Sequence, residues 1–507
     1  MTATDTAPTD AEPGADRPTF DSLDPATGRV VGSHPIHDAA AVAAAVERAR
    51  RASTHWADLG FDGRAPLLGT WRALLVARAD ELAGVVHDET GKPHADAMLE
   101  IVLAVDHLAW ATKHAPKVLK RRKVSSGLLM SNHAATLEYL PLGVVGVIGP
   151  WNYPVFTPMG SIAYALAAGN AVVFKPSEHT PGVGEWLAQS AAEAMGVPGL
   201  LEVVTGFGET GAALVGAGVD KIAFTGSTAT AKKIMAAAAD TLTPVLMECG
   251  GKDALIVDED ADLDAAADAA TWGGMSNAGQ TCVGVERVFV HDSVYDTFVD
   301  KVVAKASSVQ AGADEAADIG PITMPSQLDV IRRHIGDALD RGGRALVGGR
   351  DAVDDRYARP TVLVDVPDDA AANTEETFGP TLTIARVASM DEAVERANAT
   401  RYGLGATVFS KRRGPELARR LRTGMTAVNS VISFAGIPSL PFGGVGDSGF
   451  GRIHGADGLR EFARPKAVAR QRYAAPLTLT TFDRSPKVDR AVGTVLKLLH
   501  GRAPKRR

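Results

Sequence analysis

From Leu142 onward the chain repeats one pattern, a short and largely apolar run followed by a helix-length segment, and this alternation restricts the fold more than any other feature. The runs are Leu142–Ile148, Ala171–Phe174, Leu201–Val204, Lys221–Phe224 and Pro244–Met247. Each is short enough for a buried strand, and strands at that spacing predict βαβ units and a parallel sheet, an α/β fold. Residues 251–440 repeat the alternation, with Ala254–Val257 and Arg287–Val290 as further strands. Ahead of it, residues 38–58 and 65–115 set Ala, Val and Leu among charges at helical spacing (Leu67, Leu74, Leu75, Leu82), so amphipathic helices are expected there. Parallel sheets bind ligands at the carboxyl ends of their strands, where Asn152, Lys175, Gly206, Gly226 and Glu248 fall.

With 507 residues the chain exceeds one ordinary core, so two or three domains are expected. Its content, 45% hydrophobic and 22% charged, is that of a soluble globular protein, and no apolar run approaches the ~18–20 residues needed to span a bilayer. Residues 1–15 lack the basic and apolar stretches of a targeting signal, and 1–19 reads as a disordered leader. Two cysteines, Cys249 and Cys282, make no disulfide framework, which points to a reducing, cytoplasmic setting. His34 and His37 flank Pro35 with no third ligand nearby; they read as solvated, and no metal site is expected. The net charge of -7 conceals a basic C-terminus, since residues 484–507 hold eight Lys or Arg against one Asp. No stacking aromatics accompany that tail, so nucleic acid is not the expected partner.

Several short motifs carry chemistry. Ser276-Asn277-Ala278-Gly279-Gln280-Thr281-Cys282 presents a thiol among small residues. A free thiol with pKa ~8.5 is a strong nucleophile only as thiolate, and alone this stretch reads first as a small core residue in a Gly-rich turn. Gly149-Pro150-Trp151-Asn152-Tyr153-Pro154 sets an amide at a strand's end, and Glu248-Cys249-Gly250-Gly251-Lys252 sets an acid at another. Phe224-Thr225-Gly226-Ser227-Thr228, Glu375-Glu376-Thr377-Phe378-Gly379-Pro380 and Pro441-Phe442-Gly443-Gly444 complete the series. Gly206-Phe207-Gly208-Glu209-Thr210-Gly211 matches a dinucleotide fingerprint between strand and helix. Asp88-Glu89-Thr90-Gly91-Lys92 lacks the first glycine and the hydroxyl of a phosphate loop and is rejected as one.

Taken in chain order, with Glu248 and Cys282 separated by 34 residues, the Asn152, Gly226, Glu248, Cys282, Glu376 and Pro441 motifs resemble the aldehyde dehydrogenase superfamily from about Phe20 to Pro476. The resemblance implies two Rossmann-like parallel-sheet domains plus a β oligomerisation arm. Residues 20–125 and 145–247 would bind cofactor, 248–455 would be catalytic, and 126–144 with 456–476, including strands at Ala134–Leu140 and Arg464–Tyr473, would form the arm of a homodimer or homotetramer. It also implies that Cys282 adds to an aldehyde, that the Asn152 amide and the Cys282 N–H hold the oxyanion, and that Glu248 activates the water that hydrolyses a thioester. Relatives that pass the acyl group to coenzyme A generally lack this base. Trp151, Lys175, Ser177, Glu178, Gly208, Gly226, Ser227, Gly250, Glu376 and Phe378 would bind the nicotinamide cofactor. Glu178 can bond the ribose hydroxyls and would repel a 2′-phosphate, which favours NAD over NADP. This chain has Ala231 where Gly is common, and Cys249 where Leu is usual. Neighbours on a strand face opposite ways, so Cys249 should turn from the cavity that Glu248 faces.

Gly446, where many members carry Lys, and His454-Gly455 resemble the branch that includes fatty aldehyde dehydrogenases. A medium or long-chain apolar aldehyde is therefore expected, with Tyr153 and Phe434 lining its tunnel. Succinate semialdehyde is the alternative and would need an anchoring arginine such as Arg287. In the tail 477–507, Val488, Ala491, Val492, Val495, Leu496, Leu498 and Leu499 share a helical face beside Lys487, Arg490 and Lys497. Two readings of 484–507 stay open: a peripheral contact with the inner membrane surface, or packing on protein. A non-catalytic protein on this scaffold and a cofactor-free thiol esterase are the competing classes. The joint presence of Asn152, Glu248 and Cys282 counts against the first, and the cofactor motifs against the second.

Overall fold

Two parallel sheets carry the chain's longest unit, residues 17–119 and 141–464. The computed structural model describes residues 17–314, 316–474 and 480–501. The leader reading therefore lies outside the described residues, except that Thr19 already opens a strand, Thr19–Leu23. Arg502, Lys505, Arg506 and Arg507 of the tail lie outside them as well.

The first sheet has six strands in the spatial order Gly449–Phe450, Val245–Cys249, Lys221–Gly226, Val144–Ile148, Ala171–Lys175 and Leu201–Val203. All pairings are parallel except that of the short edge strand Gly449–Phe450. Helices cover both faces of such a sheet, which is why its central strands read as unbroken apolar runs: every residue of Val144–Ile148 and Ala171–Lys175 is buried. The chain lays down Val144–Ile148 first, builds outward on one side, and returns to build on the other with Lys221–Gly226. That reversal opens a crevice at the carboxyl ends of the two strands. Pro150–Asn152 and Gly226–Ser227 leave their strands at this place.

The second sheet runs Arg344–Val347, Thr361–Val364, Thr381–Val387, Val285–His291, Asp253–Val257, Ala406–Phe409 and Ala427–Val428, with only the first strand antiparallel to its neighbour. Leu255, Val257, Val288, Val290, Leu382 and Ile384 pack under Phe298 and Val302 of the helix Tyr295–Ser308 to form its core.

Several boundaries differ from the sequence reading for physical reasons. The strand expected from Leu142 starts at Val144, because the N–H groups of Leu142 and Gly143 bond to the Asn170 side chain at 2.6 and 3.0 Å and Gly143 is left-handed (φ 133°). The helical stretch 65–115 falls into three helices, Gly60–Ala77, Ala79–Thr90 and His94–Leu119, following Ala39–Asp58. Gly91 ends the third of these four in a left-handed cap (φ 70°), so residues 88–92 are a helix terminus. The solvated reading of His34 is wrong. Its strand, Val30–Pro35, turns the ring inward to 6% exposure, where it bonds Ser22 Oγ (3.2 Å) and Glu185 Oε2 (3.0 Å). His37 is likewise tied, to the Thr205 carbonyl at 3.2 Å.

The second unit, residues 120–140 and 465–501, carries the three-stranded sheet Ala463–Gln471, His133–Pro141, Arg122–Val124 and the helix Pro486–His500, none of whose residues is buried.

Asn170 shows what fixes the central strand. Fully buried, it accepts the two N–H groups above and donates to the carbonyls of Ala165 (3.0 Å) and Phe462 (2.8 Å). Asn170→Ala strands those backbone groups and should lower unfolding free energy by ~3–4 kcal/mol, read from urea denaturation.

Candidate active site

A single cavity of about 690 Å³ opens at the carboxyl end of the first sheet and continues to the turn that carries Cys282. Its wall includes Trp151, Asn152, Tyr153, Gly226, Ser227, Glu248, Gly250, Cys282, Glu376 and Phe378. From Trp151 to Phe378 these stretches span more than 200 residues of chain, and the topology brings them together.

The turn Ser276–Gly279 delivers Cys282, and it is strained: Asn277 (φ 52°), Ala278 (φ 55°) and Gly279 (φ 71°) are consecutive left-handed residues. Any side chain at Gly279 would collide with the Gly379 carbonyl. The turn is held by side chains. Gln280 donates to Asn277 O at 2.9 Å and accepts from Thr323 N at 2.8 Å, while Asn277 Nδ2 donates to Asn152 O at 3.0 Å. Asn152 Nδ2 donates to Gln280 O at 2.9 Å, which uses one of its two N–H bonds and leaves the other for the cavity.

Lys92 completes this lattice. Its Nζ donates to Asn152 O (2.7 Å) and Glu100 Oε1 (2.8 Å) and sits 4.4 Å from the Tyr153 ring centroid. Glu100 Oε2 in turn accepts from Val155 N and Phe156 N, both at 3.1 Å, at the start of the helix Phe156–Ala168. Sequence reasoning missed Lys92, Glu100, Asn277 and Gln280. The local signal for Lys92 is its place directly after the helix-ending Gly91.

Glu248, next to last in its strand, is buried, and neither carboxylate oxygen has a hydrogen-bond partner. Burial pushes its pKa well above the ordinary carboxylate range, against the opposing charge of Arg452. A side chain at Gly443 would press on Glu248 Oε1 at 2.7 Å, so the Pro441–Gly444 motif makes room for this carboxylate. Burial, with the carboxyls of Glu376, Glu248 and Asp253, also pushes the Cys282 thiol up. Glu376 is raised to about 8, chiefly by burial, and accepts from Gly251 N at 3.0 Å. Its carboxylate occupies the space a side chain at Gly250 would need.

The cofactor half of the wall fits a dinucleotide. At Gly226, Ser227 and Ala229 the helix Thr228–Ala239 begins on the cavity, with Ser227 Oγ capping Thr230 N at 3.2 Å and the first-turn N–H groups available to an anion. Trp151 meets Phe378 edge to face at 5.5 Å and His179 at 6.4 Å. Lys175, Ser177, Glu178 and Gly208 are not on the cavity wall. Lys175 and Glu178 pair with each other at 3.4 Å beside His179.

Three expectations need correction. Phe434 is buried against Phe442 (6.3 Å) and is absent from the wall, which Phe442, Phe156 and Trp272 line instead. Cys249 does not escape the cavity, because the cavity wraps the strand's end and meets both faces; burial raises its thiol to about 12. Arg287 faces away from the wall, donating to the carbonyls of Lys252 (2.8 Å) and Ala397 (3.0 Å).

The profile of the aldehyde dehydrogenase family matches residues 12–468. The chain is 37% identical to a 4,4'-diapolycopene aldehyde oxidase of Methylomonas sp over 462 residues, 90% of this chain and 87% of that one. It is also 37% identical to a putative NADP(+) succinate-semialdehyde dehydrogenase of Mycolicibacterium smegmatis, with 88% and 87% covered. The solved NAD-dependent aldehyde dehydrogenase of Sinorhizobium meliloti superposes with a TM-score of 0.86 at 34% identity, covering 92% of this chain and 93% of that one.

Lys92→Met leaves Glu100 as a buried, uncompensated charge and should cost ~3–5 kcal/mol of stability. Adding Glu100→Gln should recover part of that loss. Urea melts of the single and double variants check both.

Proposed function

This chain belongs to the aldehyde dehydrogenase family, and from that premise we propose that Cys282, Asn152 and Glu248 carry its NAD(P)-dependent aldehyde oxidation through a thioester to the free carboxylic acid. The observation that supports this most is the opening of a partly accessible thiol, a half-free amide and an unpartnered buried carboxylate onto one cavity.

Cys282 Sγ adds to the aldehyde carbon as its proton passes to solvent water, and the carbonyl π pair moves onto the oxygen. The free N–H of Asn152 and the Cys282 backbone N–H stabilise the oxyanion, a donor worth ~3–4 kcal/mol of barrier. When bound, the nicotinamide supplies the acceptor for the hydride that the adduct loses. Glu248 then takes a proton from water, whose oxygen attacks the thioester carbon and expels the Cys282 sulfur. A raised pKa suits a carboxylate to that task. Glu376 and Phe378 would position the nicotinamide end, and Glu178 the adenine ribose, where its charge favours NAD.

Leu99, Leu103, Phe156, Trp272, Ile432 and Phe442 give the substrate side an apolar wall, which supports a medium or long-chain aldehyde. Succinate semialdehyde is less well served: Arg333 is on the wall, but its guanidinium is held by Glu375 through bonds of 3.3 and 2.6 Å. The three-stranded sheet of the second unit would serve a homodimer or homotetramer.

A second reading concerns the helix Pro486–His500. No helix among the described residues is long and apolar enough to cross a membrane. This one is fully amphipathic, with Val492, Leu496, Leu498 and Leu499 at 41, 61, 76 and 40% exposure. Such a helix, with Arg490 and Lys497 on its polar face, suits the surface of an anionic bilayer.

Glu248→Gln should lower kcat by ~10²–10⁴-fold. Because the Glu248 carboxylate is populated only as pH rises through its raised pKa, kcat of the wild type should keep climbing with pH beyond the ordinary carboxylate range, and stopped-flow rates against pH will show it. Removing residues 484–507 should abolish cosedimentation with phosphatidylserine vesicles while leaving turnover of short aldehydes unchanged.

A further inference from the structure

His454 is held in the cavity wall at an energetic cost that the reaction above does not explain. Its backbone stands at φ 62°, ψ 164°, a region that residues other than glycine rarely occupy, at a cost of ~1–3 kcal/mol. The ring is 1% exposed, and neither nitrogen has a hydrogen-bond partner. His107 lies against it, ring centroids 3.9 Å apart. The Nε2 of His107 meets the Ala435 carbonyl at 3.0 Å, and its Nδ1 also lacks a partner. Phe156, Tyr164 and Phe442 enclose the pair at 5.6, 5.7 and 5.5 Å from the His454 ring, and the Tyr164 hydroxyl is committed to Pro438 O at 3.1 Å.

An unpaired buried polar atom costs ~1–3 kcal/mol, so strain and desolvation both act against this arrangement unless something in the cavity bonds to it. The chemistry of that occupant is restricted. Burial keeps both imidazoles neutral, with His107 lowered to about 4. A neutral imidazole presents, at either nitrogen, an N–H or a bare lone pair according to its tautomer; a hydroxyl can answer either one, and a carbonyl answers the N–H. A carboxylate would need a compensating cation. Leu103, Phe156, Ala435, Phe442 and Ile453 supply none on this part of the wall.

We propose that His454, backed by His107, is a recognition site for an uncharged oxygen, a hydroxyl or carbonyl, carried by the substrate away from its aldehyde carbon. This rests on the reading that the cavity takes an aldehyde. It refines the substrate class to apolar chains bearing a second, neutral oxygen.

Binding without turnover separates the two ideas. Calorimetric titration of the full chain with straight-chain alcohols and the α,ω-diols of equal length should show one length at which the diol binds ~10-fold tighter. That preference should disappear in both His454→Phe and His454→Gly, while His454→Gly, relieved of its strained backbone, should melt no lower than wild type. Aldehyde oxidation measured in parallel should favour the ω-hydroxyaldehyde over the plain alkanal in the wild type alone. Equal alcohol and diol affinities at every length, or a diol preference that survives both substitutions, would overturn the site. Absence of aldehyde oxidation with the diol preference intact would instead overturn the catalytic reading.

Discussion

The ammonium of Lys92, sealed between the Glu100 carboxylate and the Asn152 carbonyl, is the interaction on which the site's geometry depends. It joins three parts of the chain that share no secondary structure: the cap after Thr90, the loop leaving the central strand, and, through Asn277, the turn before Cys282. A lone buried charge would be untenable, but here the ammonium has a carboxylate, a carbonyl and an aromatic face, and the carboxylate is completed by two N–H groups. Such a network has one low-energy arrangement. It can therefore hold Asn152 with its free N–H toward the cavity while the neighbouring turn stays in left-handed backbone.

Electrostatics on the other side of the cavity point the opposite way. Glu248, Glu376 and Asp253 are buried carboxyls, each pushed upward by desolvation, and burial first, then these carboxyls, raise the Cys282 thiol. A thiol in that setting is protected from adventitious oxidation and becomes nucleophilic when a base takes its proton or positive charge enters nearby. The same desolvation equips Glu248 to act as a base. Reactivity and restraint thus come from one physical cause.

Much of this was legible in the sequence, because a buried parallel strand is an unbroken apolar run and its carboxyl end is where ligands bind. Asn152, Glu248 and Cys282 stood out from motif order and do meet in one cavity. The failures share a pattern. Strand starts at Leu142 and Pro244 slipped by two and one residues, since a side chain (Asn170) and a missing N–H decided them rather than hydropathy. His34 looked solvated because its partners, Ser22 and Glu185, are distant in sequence. Phe434 and Phe442 could not be told apart by type, and only the packing decides which faces the cavity. Lys92 follows a helix-ending glycine, but which groups its ammonium holds is set by tertiary contacts alone.

The most direct test of the account is the mass of the intact protein after Glu248→Gln is mixed with an apolar aldehyde and NAD. An acyl group should accumulate on Cys282, increasing the mass by that of the aldehyde less two hydrogens, and Cys282→Ala in the same background should remain unmodified. An unmodified Glu248→Gln protein that still turns over at the wild-type rate would contradict the joint roles assigned to the thiol and the carboxylate.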